Sequence, residues 1–312
     1  MKRRVAAAAL VSLVLGGAAF LAWPRPSPLP ADLAGSVAFV SNRDGLDAVY
    51  LRRLPKGQDR RLTFTGEPAG EPAFSPDGTR LAFSMGGRIG LVALPGGDVR
   101  ILTLGIDWRD SAPSWRPDGK ALVVVARGRN ADHGELHVLE IETADGQVAR
   151  APLTQGRGLS YDSPRFSPDG SVVVCVREDH VFRISLVDGR SSRVTGGFRR
   201  YRSPRFLPSG RLVALWSQEK QFGMDVMDVD GKNRETLSLG TAYYRSIAPS
   251  PDGRYFAGAF SYDLQFHPAE ALTLGRAEEV RLLDARGGPV APLARSWRTS
   301  SHSPDWGRSA SP

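Results

Sequence analysis

The sequence predicts an all-β protein: a six-bladed β-propeller with four-stranded blades, closed by pairing of its N- and C-terminal strands. The first observation behind this is a recurring phrase: AFSPDGTRLAFS at Ala73–Ser84, SWRPDGKALVVV from Ser114, RFSPDGSVVVCV from Arg165, RFLPSGRLVALW from Arg205, APSPDGRYFAGA from Ala248 and a degenerate SHSPDWGR from Ser301. Each copy is an apolar or aromatic residue, a Pro-Asp-Gly type turn and an alternating or continuous run of β-formers. Proline fixes φ at the first central turn position, Asp bonds back to nearby backbone and Gly accepts positive φ. The second observation is the period. From Pro76 through Pro117, Pro168, Pro208 and Pro251 to Pro304 the spacings are 41, 51, 40, 43 and 53 residues, the length of one propeller blade. The third is composition: 34 Gly and 23 Pro in 312 residues supply the tight turns, and no long amphipathic helical pattern follows residue 35.

Taken in order, the chain opens with three positive charges in Met1–Arg4 and 19 uncharged residues, Val5–Trp23. Residues 1–23 are either a cleaved secretory signal or a retained membrane anchor, and both readings put the rest outside the cytoplasm. Pro24–Pro30, PRPSPLP, opens a Pro-rich linker over 24–34, a semi-stiff spacer. The propeller is expected over 35–307, with a flexible tail at 308–312. The single cysteine, Cys175, lies in the apolar run Val172–Val176 and reads as a small buried hydrophobe.

The order of the pieces predicts the closure. Ser36–Ser41 enters as a second strand without a first, and Thr299–Asp305 ends the chain as a first strand without the rest. Ser300–Pro304 is therefore expected beside Val37–Val40, removing two open sheet edges.

With the Pro-Asp-Gly turns on the lower face, the loops from each blade to the next collect on the upper face. Aligning the first strands on the turn proline gives two columns for the channel rim. Seven residues before it stand Ala69, Asp110, Tyr161, Tyr201, Tyr244 and Trp297; six before stand Gly70, Ser111, Asp162, Arg202, Arg245 and Arg298. Aromatics with arginines between them suit anchoring of a partner or an anionic ligand. The candidate binding residues are therefore Asp110, Tyr161, Asp162, Tyr201, Arg202, Tyr244, Arg245, Trp297 and Arg298. The alternative for these columns is packing between blades and simple solvation of a rim.

Chemistry-bearing motifs are sparse. His133 and His137 stand four apart and a metal there needs a further ligand, so neither metal nor cofactor is expected. No Gly-x-Ser-x-Gly elbow is present, and the Asp of each turn is structural. The formal charge is +8, three of it in Met1–Arg4; the rest favours anionic glycans or acidic protein surfaces over nucleic acid.

The stretch Pro72–Ser84, together with Ser41-Asn42-Arg43-Asp44-Gly45, Val49-Tyr50 and the ending Arg61-Leu62-Thr63, resembles the repeat of the TolB-like β-propellers. Ile101-Leu102-Thr103, Pro152-Leu153-Thr154 and Arg193-Val194-Thr195 repeat that ending. The resemblance covers roughly 35–307 and only the propeller; the N-terminal α/β domain of that family has no counterpart in this sequence. It implies a non-catalytic, monomeric interaction module, periplasmic or anchored to the inner membrane. The implied partner is an envelope protein or peptide, a peptidoglycan-associated lipoprotein in particular. The alternative is a propeller hydrolase or lyase acting on an acidic glycan at the top of the channel.

Overall fold

The computed structural model describes residues 28–142, 147–154, 158–240, 242–262, 277–296 and 304–308. Its 24 strands form six four-stranded antiparallel sheets, one per blade of a six-bladed propeller. Residues 1–27, which include the first four of the linker, Trp297, Arg298 and 309–312 lie outside the described residues.

Each blade runs outward from the axis. In the second blade the strands are Ala69–Phe74, Arg80–Met85, Arg88–Ala93 and Arg100–Ile101. The turn between the first two holds because Ser75 Oγ donates to Asp77 Oδ1 at 2.5 Å while accepting from the Arg80 N–H at 2.9 Å, and Asp77 Oδ1 accepts from the Thr79 N–H at 3.0 Å. The same bonds recur around Ser167 and Asp169. The hydrogen bond from Ser75 leads the causes that hold the Asp77 carboxyl down at about 2, and that from Ser167 does so for Asp169, also about 2.

The Leu-Thr endings have an equally local cause. The hydroxyls of Thr63, Thr103, Thr154 and Thr195 accept the N–H of the second residue of the third strand, from Val49, Ile89, Leu136 and Val181, at 2.9 to 3.0 Å. The preceding Leu62, Leu102 and Val194 are buried, so each ending pins the outer strand before the chain crosses to the next blade.

The core is a set of inter-blade clusters. Cys175 is fully buried in one of them, and burial pushes its thiol up to about 12, which makes it inert as a nucleophile.

The ring closes through the two chain ends, four residues further along than expected. Asp305–Gly307, not Ser300–Pro304, pairs with Ser36–Ala38. Trp306 faces Val37 as Phe74 faces Leu81 and Trp115 faces Leu122. Pro-Asp-Trp at 304–306 is therefore placed as Pro-Arg-Phe at 164–166, leading into the closing strand Asp305–Gly307 and not into a turn, and Pro304 takes the place of Pro72, Pro113, Pro164 and Pro204. The seam is tight: Trp306 Nε1 donates to the Ala34 carbonyl at 3.1 Å, and a Cβ on Gly307 would lie 2.5 Å from the Phe74 ring.

Candidate functional site

The inner strands decide what reaches the channel, and a repeated irregularity decides how. Glu71, Ala112, Ser163 and Ser203 have φ of 51°, 50°, 50° and 48°, unusual for residues with a Cβ. At each of them the register shifts: Asp162 faces Val176 but Arg165 faces Val174, and Arg202 faces Leu215 but Arg205 faces Val213. Three steps on the inner strand match two on its neighbour, which is a β-bulge. The extra residue brings positions of unlike parity onto one side. Asp162 and Arg165 share a side, as do Arg202 and Arg205, and that side opens onto the axis.

The other side carries the tyrosines. Tyr161, Tyr201 and Tyr244 are buried in three different inter-blade clusters. The Tyr201 hydroxyl donates to Asp225 Oδ2 at 2.7 Å, and Arg199 binds the same fully buried carboxylate at 2.9 Å. Asp110 of this column is likewise buried and is held by Arg150 through two bonds of 3.0 and 2.6 Å. The column therefore wedges adjacent blades together instead of crowding the rim, because strand alternation turns it away from its neighbours Asp162, Arg202 and Arg245. Trp297 and Arg298 lie outside the described residues.

Asp162, Arg202 and Arg245 do come together. With Glu71, Arg165 and Arg205 they line an axial cavity of about 270 Å³, and Arg165 and Arg205 also line a second cavity of about 400 Å³ at the turn end of the channel, shared with Asp305 and Arg308. Arg205 is only 7% exposed. Burial first, and then the neighbouring charge of Arg165, push its guanidinium well below its ordinary pKa. A guanidinium keeps its proton in a protein, so the shift records an under-compensated buried charge. Arg165 and Arg205 were missed in the sequence reading, although the shared Arg-Phe ahead of the turn, at 165–166 and 205–206, displays them.

The histidines gather elsewhere. His137 is buried edge-on to Trp108, with ring centroids 4.4 Å apart, and Arg150 lies 3.1 Å from its Nδ1. Glu135 stands 3.7 Å from both His137 and His133. Burial, then Arg150, lowers the His137 pKa. Among the described residues no group of three or more His, Cys, Asp and Glu side chains is placed to hold a metal ion.

The upper face has a different character. Seven large hydrophobics are exposed among the described residues: Leu46, Phe64, Ile101, Leu104, Ile106, Val187 and Phe198. Five of them, Leu46, Phe64, Leu104, Ile106 and Phe198, sit on loops of the face opposite the Pro-Asp-Gly turns. Phe64, Leu104 and Phe198, 75, 76 and 94% exposed, follow within three residues the Thr that pins each outer strand. Arg61 lies over the Phe64 ring at 5.0 Å.

No protein-family model matches the chain. A curated relative, a TolB homologue of Chlorobium luteolum, is 33% identical over 143 residues, 45% of this chain and 31% of that protein; the match thus spans about a third of the relative's length. Among solved structures, TolB from Acinetobacter baumannii superposes with a TM-score of 0.67 at 18% identity, over 89% of this chain and 67% of the other. An oligogalacturonate lyase in complex with manganese gives 0.61 at 16%, over 85 and 76%. The fold is that of a TolB-like propeller.

Proposed function

We propose that this chain is a non-catalytic interaction module of the cell envelope, exported or membrane-anchored, that docks a protein partner on its upper face. The observation that carries the reading is the gathering of five exposed hydrophobics on the loops of one face. Exposed apolar groups scattered singly need no explanation, whereas a set on one face marks an interaction surface. The threonine-pinned strand ends fix the backbone from which the loops bearing Phe64, Leu104 and Phe198 depart, which lowers the ordering cost of binding. Asp162, Arg202 and Arg245, at the upper end of the channel, supply a polar centre. The likeness to TolB supports an envelope protein as partner, with a peptidoglycan-associated lipoprotein as the first to try.

The tether supports the same orientation. Ser36–Ser41 rises from the turn face, and Asp32 is ion-paired with Arg254 beside the turn at Pro251–Gly253, at 2.5 Å. A chain anchored through residues 5–23 would turn that face to the membrane and present the apolar loops away from it.

A pull-down from envelope extract with the full chain in detergent tests this. Wild type is expected to retain a specific protein that a Phe64→Ser, Leu104→Ser, Phe198→Ser variant loses while its Tm stays level. Equal retention by both would overturn the upper-face assignment. The second reading, cleavage of an acidic glycan, is favoured by the arginine-lined channel; release of unsaturated or reducing ends from oligogalacturonate by wild type would establish it.

A further inference from the structure

Two arginines inside a channel wall, side by side and short of counterions, ask what neutralises them. Arg165 donates to the Pro164 carbonyl at 2.7 Å and Arg205 to the Pro204 carbonyl at 3.1 Å. These are contacts each arginine makes with the residue before it, and they leave most of the five N–H donors of each guanidinium uncommitted. The Arg205 Nε is buried with no hydrogen-bond partner in a residue more than nine-tenths buried. Among the described residues no carboxylate lies within ion-pair distance of either group.

Three carboxylates do face this part of the channel, and each is already engaged. Glu71 Oε2 accepts from the Ser84 hydroxyl at 2.9 Å and the Ala112 N–H at 2.7 Å. Asp162 Oδ1 accepts from the Ser163 N–H at 2.6 Å, and Asp305 Oδ2 from the Phe74 N–H at 2.7 Å. They temper the field without meeting the guanidiniums. The upper cavity still has four arginines, Arg165, Arg202, Arg205 and Arg245, against Glu71 and Asp162.

We propose that Arg165 and Arg205 form an anion site at the waist of the channel, built for a small monocarboxylate. A guanidinium fork matches the two oxygens of a planar carboxylate. A carboxylate turns both its oxygens to the guanidiniums, whereas the further oxygens of a tetrahedral phosphate would be left to face the carboxylates of Glu71, Asp162 and Asp305. The cavities on either side, of about 270 and 400 Å³, leave room for a body of a few heavy atoms attached to that carboxylate. The site rests on the channel alone and stands or falls separately from the upper-face reading.

The test is thermal unfolding of the full chain in detergent at constant ionic strength, with chloride replaced by acetate, galacturonate, a tripeptide with a free C-terminus, its amide, or phosphate. A ligand that binds only the folded state raises Tm in a saturable way. Acetate and at least one larger carboxylate are expected to do so, with phosphate and the amide near the chloride baseline. Galacturonate against the peptide tells whether the carboxylate comes from a sugar acid or a chain terminus. Arg165→Met and Arg205→Met are each expected to abolish the carboxylate-dependent shift while unliganded Tm holds or rises, since a buried charge without a partner has been removed. Saturation-transfer NMR of acetate on wild type gives a readout that does not depend on the variants folding. Absence of transfer and of any Tm shift, a phosphate effect equal to that of acetate, or an undiminished shift in Arg205→Met would each overturn the proposal.

Discussion

Tyr201 and Arg205 stand on one strand, four residues apart, and meet opposite surroundings. Tyr201 is packed among Val174, Val181 and Trp216, with its hydroxyl spent on Asp225. Arg205 looks into the axis with a donor to spare. The same contrast separates Tyr161 from Arg165. Hydrophobicity does not sort them, since the tyrosine column also holds the charged Asp110 and the arginine column also holds Ala73 and Ala248. The bulge at Ser163 and Ser203 does, by adding one residue between two faces of a strand.

The largest way to break this arrangement is to remove the closing strand. Truncation after Ser303 deletes Trp306 and reopens the edge at Ser36–Ala38. Loss of one buried Trp costs about 3–5 kcal/mol by itself, and the freed strand edge adds to it. Urea unfolding should show a collapse in midpoint and a broader transition. A midpoint near wild type would mean that the propeller closes without its seam.

Next in size is the tyrosine face. Tyr201→Ala is expected to cost about 3–5 kcal/mol, because it empties an inter-blade wedge and strips a donor from a buried carboxylate. Asp110→Ala should cost a similar amount, about 3 kcal/mol or more, by leaving Arg150 without its partner. Arg202→Ala with Arg245→Ala gives the counterpoint. A stability change within about 1 kcal/mol is expected there, since these groups line a cavity instead of filling a core. If the arginine pair proved as costly as Tyr201, the division of labour between the two faces would be wrong.

The fold was legible because its signals are local and repeated. Pro-Asp-Gly type turns, Leu-Thr endings and a period in the forties each have a short-range physical cause, and five copies of the turn with four of the ending make chance agreement negligible. The site was half legible. Asp162, Arg202 and Arg245 were picked out by alignment and do line the channel. The tyrosines were placed beside them because strict alternation gives no warning of which side faces the axis. Arg165 and Arg205 were passed over because an odd separation from Asp162 and Arg202 puts them on the other face of a regular strand. A left-handed Ser leaves no mark in the sequence; only the proline that follows it in four copies hints that the inner strand is interrupted. The terminal copy misled for the same reason, since Ser-Pro-Asp reads as a turn until Trp306 is seen to occupy the place of Phe74.

The smallest expected effect concerns the turns, and it sharpens the contrast between structural and functional carboxylates. Asp77 and Asp169 are held at about 2 by the serine hydroxyl and by the backbone N–H two residues on. Their depressed values mean that they stabilise the folded state above the ordinary carboxylate pKa of about 4, and that this contribution fades as pH falls from about 4 towards 2. An Asp77→Asn, Asp169→Asn variant keeps an amide oxygen able to accept the same backbone bond, so Tm at pH 7 should fall only slightly. Between pH 4 and 2 its Tm should decline less steeply than that of wild type, because two of the groups that titrate there are gone. Parallel curves for the two proteins would show that the turn carboxylates are not the acid-labile element of the fold.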